Sequence, residues 1–143
     1  MQRTLIILKP DCLHAHLCGK VIARFEQEGF EIIGCKMEVL PIDTLRLHYA
    51  HIADKPFYPD VEKFMRSSPV IILALKGDDI VNRTRDILGV TDCTLAAPGT
   101  LRAEYGSKDP KTCKMMNIAH ASDSLETAEL EIKRFFSGEE LFE

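Results

Sequence analysis

The sequence predicts an α+β sandwich, one sheet of about four strands with helices packed on it. Apolar runs of strand length alternate with segments apolar on one helical face. Their order is strand, helix, strand, helical pair, strand, helix, loop, strand, helix. The run Val70-Ile71-Ile72-Leu73-Ala74-Leu75 is apolar on both faces, as a central strand is. No repeat, low-complexity stretch or linker divides the 143 residues, so 1–143 reads as a single domain with a sizeable core.

Each element has its own signal. Residues 4–9 are β-rich and closed by Pro10. Residues 19–27 place Val21, Ile22 and Phe25 on one helical face, with Gly29 as the stop. Residues 31–40 read as a second strand ending at Pro41. Ile42-Asp43-Thr44 opens a helix carrying Leu45, Leu47, His48 and Tyr49. The prolines of Lys55-Pro56-Phe57-Tyr58-Pro59 break the chain, and a short amphipathic helix follows with Val61, Phe64 and Met65. Ser68-Pro69 introduces the central strand. Gly77-Asp78-Asp79 caps a helix that runs through Leu88 and ends at Gly89. Residues 90–116 show no periodicity, and so long an irregular stretch is uncommon unless functional. Residues 117–120 read as a last short strand, and 124–136 as the last helix.

Composition excludes several classes. Hydrophobic residues are 45% and charged residues 28%, the balance of a globular chain rather than a disordered one. A net charge of −4 argues against bulk nucleic-acid binding. No apolar run approaches the ~20 residues that span a bilayer. The apolar residues 5–8 are too few for a secretory signal, so the expectation is a cytoplasmic protein. The five cysteines, odd in number and irregularly spaced, read as reduced thiols. Four potential metal ligands alternate in Cys12-Leu13-His14-Ala15-His16-Leu17-Cys18. In a strand the end pair would lie ~20 Å apart, so only a coiled loop could gather them on one zinc. A metal-handling module is therefore the weakest reading.

The chemistry concentrates near the C-terminal end. His120 sits in Asn117-Ile118-Ala119-His120-Ala121-Ser122-Asp123-Ser124, just ahead of the last helix. An imidazole with its ordinary pKa of ~6.5 is a nucleophile near neutral pH. A helix N-terminus welcomes phosphate. Together these suggest phosphoryl transfer through a phosphohistidine. The same residues also fit a plain capping segment, with Asp123 as N-cap and Glu126 three residues on. Glu131, two turns into the helix, could orient the ring through its non-attacking nitrogen. Lys9 ends a strand and could meet a phosphate as a point charge. Arg85 on a helix and Arg102 in the long loop could grip phosphate bidentately. Tyr49 could donate its hydroxyl, and Phe57 could offer a flat face to a base. Taken singly, each of these also fits an ordinary structural role.

Taken in order, the motifs resemble those of the nucleoside diphosphate kinases over nearly the whole chain. They are Ile7-Leu8-Lys9-Pro10-Asp11, Arg24-Phe25-Glu26-Gln27-Glu28-Gly29-Phe30, His48-Tyr49, Pro56-Phe57-Tyr58, Pro98-Gly99-Thr100-Leu101-Arg102 and the His120 segment. The resemblance implies a ferredoxin-like sandwich with a four-stranded antiparallel sheet. It implies a ping-pong reaction in which a nucleoside triphosphate phosphorylates His120 and a nucleoside diphosphate takes the phosphoryl group, with little regard to the base. Carried over by position, Lys9, Tyr49, Arg85, Thr91, Arg102 and Asn117 hold phosphates and ribose. Phe57 and Val61 sandwich the base, and Glu131 and Ser122 support the histidine. Magnesium (Mg2+) rides on the nucleotide, with no metal cage in the protein. A homo-oligomer is implied, a hexamer ahead of a tetramer, with no nucleic-acid or membrane partner. Ala121 stands where the family has glycine, Asp92-Cys93 where it often has Asn-Pro, and residues 106–116 are longer than its pattern. These departures leave a competing reading, a nucleotide-binding scaffold without catalysis.

Overall fold

A computed structural model describes all 143 residues. The first strand, β1, spans Gln2–Leu8. Pro10 has a fixed φ and no N–H to lose, which suits a first helical turn. There α1 (Pro10–His14) starts, with Lys9 as its N-cap. Lys9 therefore lies just past the strand rather than within it. Nothing in the periodicity marks this helix, because five residues show too little of a 3.6-residue repeat. The next helix, α2 (Cys18–Gln27), buries Val21 and Phe25, the face expected of it. After β2 (Glu31–Glu38) come α3 (Ile42–His48) and α4 (Tyr58–Met65), and then β3 (Val70–Gly77). Helix α5 (Ile80–Leu88) stops at Gly89, whose φ is +92°. A Cβ at Gly89 would lie 2.7 Å from Thr100 Oγ1, so only glycine fits. Asp79 is the N-cap of α5, as the sequence suggests, but its side chain does not close the helix end. Its φ is +50°, and its carboxylate accepts from Asn82 Nδ2 rather than from the backbone.

The stretch 90–116 is not irregular. It holds a 3-10 turn at Cys93–Leu95, helix α6 (Leu101–Tyr105), and a two-stranded ladder of β4 (Ser107–Lys108) with β5 (Met115–Met116). Each piece is shorter than a helical or strand repeat needs in order to show. The chain closes with β6 (Ala119–Ala121), α7 (Leu125–Phe135) and a 3-10 turn at Gly138–Glu140.

Four strands form one antiparallel sheet in the order β2-β3-β1-β6. With helices packed on it, this is the ferredoxin-like α+β architecture. In the central pair, the facing segments Leu5–Leu8 of β1 and Ile71–Ala74 of β3 are apolar throughout because side chains alternate between two covered faces. Ile6, Leu8, Leu73 and Leu75 pack with Phe25, Ile80 and Leu88. Leu5, Ile7, Ile72 and Ala74 pack with Leu45, Met65, Ile132 and Phe135. His120 on the edge strand β6 lies opposite Ile7. Directly paired residues share a face, so His120 projects toward the layer that holds α3 and α7. No helix is long and apolar enough to cross a membrane.

Candidate active site

Two residues before His120 the backbone is strained. Ile118 has φ +65°, a left-handed conformation costing of order 1–3 kcal/mol for such a residue. It is clamped from both sides. Its N–H donates to Asp11 Oδ2 at 2.9 Å, and its carbonyl accepts from Lys9 N at 2.9 Å. Asp11 thus fixes the approach to β6, a role that its place in the first motif did not reveal.

The His120 ring is held by a buried carboxylate. Its Nε2 lies 3.0 Å from Glu131 Oε1. That oxygen also accepts from Ser122 Oγ at 2.6 Å, and Ser122 Oγ in turn accepts from Leu5 N at 3.2 Å. Glu131 is 4% exposed, so it is no solvated helix position. Burial alone would push its carboxyl up. The hydrogen bond and charge of His120, then Ser122 and His48, outweigh that and hold it below its ordinary value. An ionised carboxylate only accepts, so Nε2 carries the ring proton and Nδ1 keeps its lone pair. The His120 side chain is 22% exposed and lines a cavity of about 640 Å³.

His48 completes the floor. Its buried ring stands edge-on to His120, with centroids 4.6 Å apart at 84°. Its Nδ1 lies 3.4 Å from Glu131 Oε2 and accepts from Arg134 Nη1 at 3.4 Å. Burial, helped by His120 and Arg134, drives its pKa down to about 3, so it stays neutral. His48, His120 and Glu131 are the one trio whose ligating atoms converge, all within 4.8 Å of one another. Arg134 on His48 Nδ1, with Lys9, Arg85 and Arg102 lining the same cavity, sets a field suited to an anion. In the Cys/His stretch the donors do not gather; Cys12 and Cys18 meet each other instead.

The cations are held differently from one another. Lys9 Nζ donates to Asn117 Oδ1 at 2.8 Å, and Asn117 Nδ2 donates to Thr91 O at 3.1 Å. Burial and neighbouring Arg102 bring the Lys9 pKa down to about 8. Arg85 reaches over from α5, with Nη1 3.5 Å from Ala121 O. Arg102 lies on α6, not in a loop. Its guanidinium donates to Asn117 O at 3.1 Å, Gly89 O at 2.9 Å and Ala119 O at 2.7 Å. It is first a strut that ties three segments together, and it also lines the cavity. The helix terminus differs too. Ser124, not Asp123, is the N-cap of α7, accepting from Thr127 N at 3.1 Å. The anion-welcoming character of the site thus comes from side chains more than from that terminus.

A second cavity of about 980 Å³ adjoins the first, sharing Lys9, Tyr49 and Asn117. Phe57, 53% exposed, and Val61 line it. Four residues apart at the start of α4, they are neighbours on one face and form one wall rather than two facing plates. Residues 112–115 of the lengthened segment line it as well, with Lys114 Nζ 4.1 Å from the centre of the Phe64 ring. That segment is anchored beneath by Cys93 Sγ, 3.1 Å from Met115 Sδ. Asp92 caps the 3-10 turn by accepting from Thr94 N at 3.0 Å. Ala121 avoids positive φ, so its methyl group needs no glycine-like backbone. Arg134 and Asp11 escape motif reading because their roles depend on contacts between distant segments.

The family model described as nucleoside diphosphate kinase matches residues 2–141. A nucleoside diphosphate kinase of Rhodopirellula baltica is 44% identical over 140 residues, covering 98% of this chain and 89% of that protein. One of Parabacteroides distasonis is 41% identical, covering 100% and 90%. Among solved structures, the Aquifex aeolicus nucleoside diphosphate kinase superposes with TM-score 0.89 at 40% identity, covering 98% of each chain. A transition-state mimic of the Borrelia burgdorferi nucleoside-diphosphate kinase, with bound vanadate and ADP, superposes with TM-score 0.90 at 29% identity, covering 99% and 90%.

Proposed function

The chain belongs to the nucleoside diphosphate kinase family, and from that premise we propose that His120 carries the phosphoryl group between two nucleotides. The enzyme moves the terminal phosphoryl group of a nucleoside triphosphate, typically ATP, to a nucleoside diphosphate. In the first half-reaction the Nδ1 lone pair attacks the γ-phosphorus. The bond to the β–γ bridging oxygen breaks, and the nucleoside diphosphate leaves with that electron pair. Positive charge on the ring is shared through Nε2–H with Glu131, which Ser122 holds in place. In the second half-reaction a terminal oxygen of another nucleoside diphosphate attacks the phosphorus and the ring leaves. The observation that carries this reading is the Nε2–Glu131 contact, which leaves Nδ1 free to react.

The rest of the cleft divides the labour. Lys9, Arg85 and Arg102 offset charge on the phosphates, Thr91 lines the same cavity, and Tyr49 and Asn117 line the passage to the second one. Phe57, with Val61 beside it, stacks a base without reading its edge, which accounts for broad base use. Magnesium fits as a passenger on the nucleotide phosphates and would neutralise charge there. Glu131 is committed to His120, and Asp123 is the one other carboxylate in the cavity. A homo-oligomer accords with Met37, at the edge strand β2, and Val39 just beyond it, both exposed. A hexamer is put ahead of a tetramer, and sedimentation equilibrium would separate the two. Phosphate exchange between ATP and a second nucleoside diphosphate tests the reaction. Turnover is expected in the native chain and none in His120→Ala; a fully active His120→Ala would overturn the assignment.

A further inference from the structure

The junction of α1 and α2 holds a pair of thiols that phosphoryl transfer does not use. The turn between the helices is tight, with Ala15 N donating to Asp11 O at 3.1 Å and His16 N to Leu13 O at 3.1 Å. Leu17 N donates to Cys12 O at 3.0 Å, and His16 takes a φ of +58° to make the bend. The turn brings the middle of α1 against the first residue of α2. The Cys18 S–H group then points at Cys12 Sγ across 3.8 Å. Cys12 is fully buried and Cys18 is partly exposed. None of the other three cysteines has a sulfhydryl partner: Cys35 and Cys113 are exposed, and Cys93 lies against Met115.

We propose that Cys12 and Cys18 form a latent disulfide site, a staple that closes by thiol–disulfide exchange with a low-molecular-weight disulfide such as oxidised glutathione. The Cys18 thiolate attacks one sulfur of the small disulfide and expels one thiol, leaving a mixed disulfide on Cys18. Cys12 then gives up its proton and attacks the Cys18 sulfur, expelling the second thiol. Two protein thiols are oxidised to one disulfide while the small disulfide is reduced to two thiols. Burial pushes the Cys12 thiol far up, which makes the accessible Cys18 the first sulfur to react.

Closing the gap from 3.8 Å to about 2.05 Å is within the reach of side-chain rotation. The start of α1 is already bolted to the active site, through Lys9 N to Ile118 O and Ile118 N to Asp11, and Cys12 N donates to Lys9 O at 2.9 Å. The bond therefore ties two segments whose backbones already meet, Leu17 N on Cys12 O, and leaves Lys9 where it stands. It restricts the unfolded chain more than the folded one, so the oxidised protein resists heat better and works as before.

The test uses the native chain incubated with oxidised glutathione, followed by alkylation, peptide mapping, thermal melting and the phosphate-exchange assay. The expected product has Cys12 and Cys18 protected from alkylation and the mass of two hydrogen atoms missing from the linked peptides. It melts several degrees higher and turns over at the rate of the reduced enzyme. Cys12→Ser is expected to stop at a glutathione adduct on Cys18. Alkylation of both thiols in the treated native chain, or pairing of either with another cysteine, would overturn the site. A correct bond that collapses turnover or lowers the melting temperature would overturn the staple. The mapping result stands whether or not the chain transfers phosphate.

Discussion

Replacing Glu131 by glutamine removes one charge and almost no volume, so it isolates what the carboxylate does for His120. In the resting state Glu131 Oε1 accepts from His120 Nε2 at 3.0 Å and from Ser122 Oγ at 2.6 Å. As Nδ1 takes the phosphoryl group, the ring becomes cationic and that neutral–anion contact becomes a cation–anion one. A hydrogen bond to a charged partner contributes about 1.5–3 kcal/mol and a neutral one about 0.5–1.5. The difference, about 1–2 kcal/mol, appears only in the transition state, so kcat should fall roughly 5- to 30-fold. Rapid-quench measurement of the phosphoenzyme isolates the first half-reaction, and KM for the nucleotide should stay near the native value. Stability supplies a second check. The Glu131 carboxyl is held below its ordinary value of 4.5, so its stabilising contribution is complete above that pH and is lost as pH falls through the folded value. Glu131→Gln should lack this acid-side loss. An unchanged kcat, or an effect confined to KM, would refute the claim that Glu131 stabilises the charged ring.

Other consequences follow from the same geometry. The free enzyme should bind nucleotide more weakly as pH rises past about 8, where Lys9 loses its charge, and Lys9→Arg should flatten that dependence in a titration of nucleotide affinity. Over the window from about 8 to the ordinary value of 10.5 the unfolded chain holds the extra proton, so this group makes the folded protein more stable as pH rises, measurable by denaturant melts. Arg102→Met should lower the melting temperature as well as the rate, because three backbone carbonyls lose a charged donor at about 1.5–3 kcal/mol each, less what water restores. Phe57→Ala should raise KM for all bases alike, by about 1–3 kcal/mol of lost stacking, with kcat little changed.

How much of this was legible in the sequence depended on the length of each element and the locality of each contact. The strand 70–77 shows as the unbroken apolar run 70–75 because its sheet is covered on both faces, and the helices around Phe25 and Ile132 show their period because they are long and pack one face on that sheet. Helices α1 and α6 do not, since five residues each span little more than one turn. His120 and Glu131 could be linked from their spacing, being one strand and its following helix, whereas Ser122 came with the family resemblance alone. The clamp on Ile118 joins residues 107 positions apart, and the Arg134–His48 contact joins residues 86 apart. Such pairs leave no local pattern. Arg102 was found by residue type, but its first occupation, bracing three carbonyls, required the fold.

Isolating the phosphoenzyme after incubation with magnesium and γ-labelled ATP, and locating the label by nitrogen-resolved NMR of the modified ring, tests the central claim most directly. The expected result is one acid-labile, base-stable phosphoryl group on Nδ1 of His120. A label on Nε2, on another residue, or no label on folded protein would contradict it.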